Sequence, residues 1–392
     1  MAIKGLFLSN AGIVSDRVGD FAGALLHLHA GGTAPMLAIS SGMESEDGGD
    51  TVFAWFEESK ITGRAATVSG GTTTTVVVDD ASFYVDGTVL LNENTGEVLL
   101  VTAVATNTLT VVRGIGGTAI VSIGGAHFLT KIGTAFEEAS NMPVSVMNQG
   151  AVYTNYQQIF RNSWSVSGTA KVVQFQTGDK IAKSKRDAAG FHSEDMERAM
   201  IWGVKHVGTK NGRPFMMMDG VLQQIKARGG KVRAAAGGNL NLAEFRDFMR
   251  DVFTVNIKGM PNERIAFGGN IALQVLNEAA RKDGVHNFES GETEFGLKFT
   301  TFQSPFGDLK IMTHPLMNES PVWQKELYAL HPGAIKTRWL RRTFQDDYDR
   351  SGTRPNGKDA DEGVLTSQAS IKVMGAQTMG IYTGITTATA SP

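Results

Sequence analysis

The chain has 392 residues, 42% hydrophobic and 19% charged, which is enough for about two or three domains with a sizeable core and excludes wholesale disorder. A net charge of −2 argues against a basic nucleic-acid binder and against a polybasic membrane surface. With no cysteine there are no disulfides, thiolate zinc sites, iron–sulfur clusters or cysteine nucleophiles.

No membrane span or signal peptide is expected. The uncharged stretch 98–112 is short of the roughly 20 apolar residues a span needs, and Thr102, Thr106, Asn107, Thr108 and Thr110 break it. The first eight residues contain no adequate apolar region or cleavage site.

Residues 1–50 read as an irregular arm punctuated by Gly31-Gly32 and Gly48-Gly49, with one short helical turn near 21–28. Such an arm orders by lying along another subunit. Residues 51–61 read as a strand, with Val52, Ala54 and Phe56 on one face and Phe53 and Trp55 on the other. Between 65 and 135, Thr, Val and Gly dominate. Short β-prone runs at 76–78, 88–91, 97–104, 109–113 and 127–131 are separated by turns such as Asn94-Thr95-Gly96 and Gly114-Ile115-Gly116-Gly117. That spacing predicts a small all-β barrel or sandwich. Residues 152–167 read as extended and are expected to pair with 51–61, which places the β-domain at the tip of a long hairpin.

The rhythm of Met196, Met200, Val204 and Val207 predicts a long helix over 180–207, although Gly190 and Gly203 cost it about 1 kcal/mol each against Ala. A second helix starts at the N-cap Asn241, with Glu244 three residues on and Leu240 and Phe245 at the staple positions. Leu242, Phe245, Met249 and Val252 line its apolar face. A third helix is expected over 270–282, stopped by Gly284. From Phe295 the pattern turns to β. Phe295, Leu297 and Phe299 alternate, Ser304-Pro305-Phe306-Gly307 turns, and Leu309 and Ile311 return. Residues 327–330 and 335–340 suggest a hairpin through His331-Pro332-Gly333. A polar loop over 346–362, an extended segment over 364–374 and a loose Thr/Ala-rich tail over 383–392 complete the chain.

No motif carries chemistry. The segment from Gly352 to Lys358 imitates a phosphate-binding loop but is followed by Asp359, where a hydroxyl is required, and no helix follows. Asp347, Asp349 and Ser351 open like a calcium loop but reach Lys358, where a bidentate Glu belongs. His27 and His29 lack companion ligands. The adjacent acids Glu57-Glu58 and Glu137-Glu138 point to opposite faces of an extended chain and make no dyad. Met216-Met217-Met218 reads as core or adaptable interface. No catalytic residue, cofactor or metal site is therefore expected. Arg338, Arg341 and Arg342, followed by Asp346, Asp347 and Asp349, read either as a solvated face or as complementary pairing between copies.

The order of elements (arm, long hairpin, long helix, α/β region, β-rich region, tail) resembles the major capsid proteins of tailed bacteriophages, which share the Hong Kong 97 (HK-97) fold. Tyr156-Gln157-Gln158-Ile159-Phe160 followed by Val166-Ser167-Gly168-Thr169-Ala170 resembles a stretch of one phage major head family. Leu91-Asn92, Thr95-Gly96-Glu97, Val101-Thr102-Ala103-Val104, Thr110-Val111-Val112-Arg113-Gly114 and Gly117-Thr118 resemble that family's β-insertion. The likeness is good over about 50–210 and weaker elsewhere.

The resemblance implies an α+β fold of HK-97 type with an inserted small all-β domain. Its parts are an N-terminal arm (1–50), an extended E-loop hairpin (51–64 and 136–179), the inserted β-domain (65–135), a peripheral spine-helix segment (180–214), an axial domain (215–294), a shared β-rich region (295–375) and a tail (376–392). It implies self-assembly into hexamers and pentamers of a virion head around double-stranded DNA, built in the bacterial cytoplasm. A separate scaffolding protein and a portal protein are the implied partners, and a decoration protein is left open. Phe53, Trp55, Phe56, Phe160, Trp164, Arg338, Arg341 and Arg342 are the expected subunit-interface residues. No large cleaved N-terminal domain is expected. A tail-tube or adhesin subunit is the alternative, and a soluble enzyme is the third reading.

Overall fold

The computed structural model describes residues 35–37, 45–58, 63–69, 73–172, 180–283, 288–294, 297–348 and 359–390. The chain forms two compact units, one of Met1–Trp55 with Tyr153–Pro392 and the other of the continuous segment Phe56–Val152. The first described strands are β1 (Ser45–Asp47) and β2 (Val52–Glu57).

The second unit is a closed six-stranded barrel. Its strands are β3 (Arg64–Ser69), β4 (Thr75–Val78), β5 (Thr88–Asn92), β6 (Val98–Ala105), β7 (Thr108–Val112) and β8 (Phe128–Thr134), in the order β3-β4-β7-β6-β5-β8. Alternation puts Val76, Val78, Leu90, Leu99, Val101, Leu109, Val111 and Leu129 into one core. Five strands are expected from the sequence. The sixth, β3, turns only Ala65 and Thr67 inward, so it lacks an apolar run, yet it closes the barrel against β4 and β8. Closure removes the free sheet edges. Inside the wall, Arg113 donates to both carboxylate oxygens of Glu97, at 2.8 and 2.5 Å. Burial alone would push the Glu97 carboxyl up, but Arg113 and the Val121 N–H hold it below the ordinary value.

In the first unit, β9 (Ala151–Tyr156) pairs with β2. The expected pairing of 152–167 with 51–61 stops there. Gln157 N–H donates to the Thr51 carbonyl at 2.8 Å, and β10 (Gln158–Ser167) then leaves to join a four-stranded sheet with β1, β20 (Ile335–Tyr348) and β21 (Ala360–Val373), in the order β1-β20-β21-β10. After α1 (Gly168–Val172), the long helix α2 (Lys180–Trp202) ends sooner than its methionine rhythm suggests. Met196 and Met200 are buried, but Val204 and Val207 are exposed beyond the helix. A Cβ at Gly203 would meet the Ala199 carbonyl and lie 2.9 Å from that of Met218, so the returning chain packs on bare backbone here. β11 (His206–Lys210) and β12 (Arg213–Met217) form a two-stranded hairpin. Its turn residues Asn211 and Gly212 both have positive φ (53° and 71°), as a tight two-residue hairpin turn requires.

The rest of the unit completes that four-stranded sheet and adds a further two-stranded pair and a seven-stranded sheet carrying helices. The elements in order are α3 (Val221–Ala227), β13 (Lys231–Ala234), β14 (Asn239–Leu240), α4 (Leu242–Phe253), β15 (Glu263–Gly268), α5 (Asn270–Lys282), β16 (Phe288–Glu294), β17 (Leu297–Ser304), β18 (Gly307–Thr313) and β19 (Leu327–Leu330). They continue with β20 (Ile335–Tyr348), β21 (Ala360–Val373), β22 (Gly380–Thr383) and β23 (Thr387–Ala388). The sheet order is β13-β22-β19-β15-β18-β17-β16. At the start of α4, Asn241 accepts the Glu244 N–H at 2.7 Å, and Leu240 and Phe245 share one core with Leu242, Phe248, Met249 and Val252.

Two readings of the C-terminal third need correction. β19 and β20 do not form a hairpin: β19 lies between β15 and β22, whereas β20 pairs with β21 and β1. All four residues of β19 are buried, as a central strand requires, and Pro332 opens the short turn that carries the chain from one sheet to the other. Nor is the tail loose. β22 is an interior strand, β23 pairs with β14, and Ile385 and Ala388 are buried. Strands also run into the expected polar loop at both ends, to Tyr348 and from Ala360. Phe295, Gly284, His27, His29 and nearly all of the 352–359 segment lie outside the described residues.

Removing Arg113 strands a buried carboxylate. Arg113→Met is expected to destabilise the barrel by about 3–5 kcal/mol in denaturant unfolding, and the double variant with Glu97→Leu to recover most of that loss.

Candidate assembly surface

Of the five aromatic residues expected at an interface, four are used inside the chain. On β2 the alternation is as expected, but the Phe53/Trp55 face is covered. Phe53 and Trp55 stack at 5.7 Å, Tyr153 lies 6.2 Å from Trp55, and the guanidinium groups of Arg338 and Arg228 sit 5.0 Å over Phe53 and Trp55. Phe160 is buried in the main core. Trp164 lies opposite Gly363 on β21, whose missing side chain makes room for the indole, with Lys185 at 4.6 Å over the ring. Phe56 alone of the five is open, at 77%.

The arginine cluster is also engaged within the chain. Arg338 donates to Glu46 and Arg342 to Asp47, both at 3.0 Å, and Arg341 donates to Gln368 at 3.0 Å. Glu46 and Asp47 are on β1, which runs parallel to β20 with Glu46 opposite Arg338. Among the described residues Arg338 and Arg342 therefore hold β1 to the sheet, and Arg341 ties β20 to β21. Local spacing could not reveal a partner almost 300 positions away.

A run of exposed apolar residues lies in the 136–179 part of the expected E-loop, mostly ahead of its expected strand. Residues 135–150 follow the last barrel strand without pairing into any sheet. Met142, Val144 and Met147 are 93%, 80% and 74% exposed, and Val152 and Phe136 are also open. The readable signal is a charge-free run: from 139 to 160 there is no Asp, Glu, Lys or Arg.

Two buried polar networks anchor the frame around α2. Glu197 is fully buried and accepts the N–H groups of Met36 and Leu37 at 2.6 and 2.7 Å. Its third partner is His314 Nε2, at 2.8 Å. One turn earlier on α2, His192 donates from Nδ1 to Asn162 Oδ1 (2.8 Å) and accepts at Nε2 from the Ser367 hydroxyl (2.6 Å). The Asn162 amide in turn donates to Asp195 at 2.8 Å, which fixes which atom faces the imidazole. Burial lowers His192 to about 4 against an opposing pull from Asp195. Burial, aided by the positive charge of Arg264, lowers His331 to about 4. Neither network offers an open nucleophile. Among the described residues no group of three or more His, Asp or Glu is placed to hold a metal.

A model of the SU10 major capsid protein family matches residues 9–386. The chain belongs to that family. It is a phage major capsid protein, a structural subunit of the virion capsid and not an enzyme. The chain is 26% identical over 392 aligned residues to the major capsid protein of Pseudomonas phage PaMx41, with 93% of this chain and 92% of that one covered. Among solved structures it is similar to that of Mycobacterium phage Cain, at 8% identity, 91% coverage of both chains and a TM-score of 0.45. It is also similar to the holo-SrpI encapsulin complex of Synechococcus elongatus, at 11% identity, with 63% of this chain and 79% of that one covered and a TM-score of 0.45.

Two outcomes follow from the networks. His192 and His331, the latter buried outside both networks, are neutral in the fold, while in the unfolded chain they bind protons below the ordinary value of 6.5. Stability is thus fully present above about pH 6.5 and falls as the pH drops toward 4, by an order of 2–3 kcal/mol per group. Calorimetry across that range checks this. Glu197→Gln turns an amide NH₂ toward a donor, which is expected to cost about 1–3 kcal/mol and to expose the N-terminal segment to limited proteolysis.

Proposed function

We propose that this capsid protein assembles into the hexamers and pentamers of an icosahedral head enclosing double-stranded DNA. The exposed apolar run over 135–152 carries the reading. A lone soluble subunit has no use for Met142, Val144, Met147 and Phe56 in water, whereas a neighbouring subunit gains by covering them. In HK-97 terms, 1–50 is the arm, 51–64 with 136–179 the E-loop, 65–135 the inserted domain, 180–214 the spine segment, 215–294 the axial domain, and 295–375 is shared. The near-neutral net charge of −2 suits a shell that contains the genome without gripping it. Assembly takes place in the host cytoplasm, with a separate scaffolding protein setting curvature and a portal protein at one vertex.

Electron microscopy of the purified chain, alone and with its co-expressed scaffold, tests the proposal. Closed shells, or flat hexamers and pentamers, are expected. Tubes without a hexamer lattice, or small discrete oligomers under every condition, overturn it.

A further inference from the structure

The β11–β12 hairpin is short of partners for its chemistry. It is a two-stranded sheet with exposed residues along both strands, and such a hairpin is marginal alone in water. Val204, Val207, Phe215 and Met217 are exposed on or beside it. Residues 204–217 contain Lys205, Lys210 and Arg213 and no acidic residue. Lys205 is engaged, donating to Thr154 at 2.7 Å and lying 4.8 Å over Tyr156. Lys210 and Arg213 are register partners flanking the turn, two like charges set directly across the ladder. That juxtaposition is unfavourable unless an anion joins it.

The complementary surface is in the same sequence. Residues 136–147 carry the adjacent acids Glu137 and Glu138 with no cation among them, followed by the exposed Met142, Val144 and Met147. Both acids are exposed, and they stand at a turn closed by the Ser140 N–H on the Glu137 carbonyl, not in the extended run that would set them on opposite faces. Two carboxylates with an apolar strip thus match two cations with an apolar hairpin, in sign and in number.

We infer that residues 136–147 of one copy dock on the β11–β12 hairpin of a second copy, Glu137 and Glu138 meeting Lys210 and Arg213. The apolar strip is covered by Phe215 and Met217, which share the Lys210 and Arg213 face of the hairpin. This rests on the self-assembly reading above and adds to it the surface that receives the exposed segment.

Charge reversal tests it in the full chain. Glu137→Lys with Glu138→Lys, and separately Lys210→Glu with Arg213→Glu, are each expected to cut shell yield by about tenfold or more. All four changes together are expected to restore it. The absence of cysteine permits a second measurement. Glu138→Cys combined with Lys210→Cys is expected to give an oxidation-dependent ladder of linked subunits that neither single variant gives. If the wild type forms shells, but the reversals assemble normally or the fourfold variant stays defective and the cysteine pair gives no ladder, the docking is wrong and the capsid assembly stands. If the wild type forms no shells or capsomers, both readings fall.

Discussion

The frame of the first unit depends on one buried carboxylate. Glu197 has no contact with water and is tolerable only because three donors meet it: two backbone N–H groups from the segment near residue 36, and His314. A carboxylate in that setting accepts only one arrangement of its neighbours. It therefore fixes where the N-terminal segment crosses α2 and where the chain leaves β18. The surrounding core is rich in methionine (Met196, Met200, Met218, Met317 and Met379), a side chain that adapts to many packings. Apolar burial supplies the stability, while the polar groups select the geometry.

The two units solve the same problem by different means. The barrel has no open edge, its own core and its own buried ion pair, so its fold is complete within one segment of chain. The first unit is woven from distant pieces. β1 meets β20, β10 meets β21 and β13 meets β22, and none of these is a neighbour in sequence. The chain pays for that topology in loop closure, and the return is a sheet whose strands cannot slip independently.

That difference decides what could be read from the sequence. Local features are legible: the Asn241 cap, the apolar face of α4, the extent of α5 and the alternation along β2 all appear where residue spacing puts them. Partners are not. The run at 327–330 looks like one arm of a hairpin because the next apolar run is five residues away, yet its neighbours are β15 and β22. The same blindness affects the surface. Phe53, Trp55, Phe160 and Trp164 look like interface residues only until their covers are known, and those covers come from Arg338, Arg228, α2 and Gly363. The unpaired run after the barrel matches neither helix nor strand signals, so its exposure emerges only from the structure.

The position of β22 has a consequence in time. Residues 380–383 sit between β13 and β19 in the interior of the seven-stranded sheet, so that sheet stays split until they are available. On a ribosome, the barrel can close while most of the first unit is still to be translated, but the sheet cannot. A chain cut short before Gly380 keeps every strand of the barrel but leaves β13 without the strand that joins it to β19, so the lesion falls on the first unit alone.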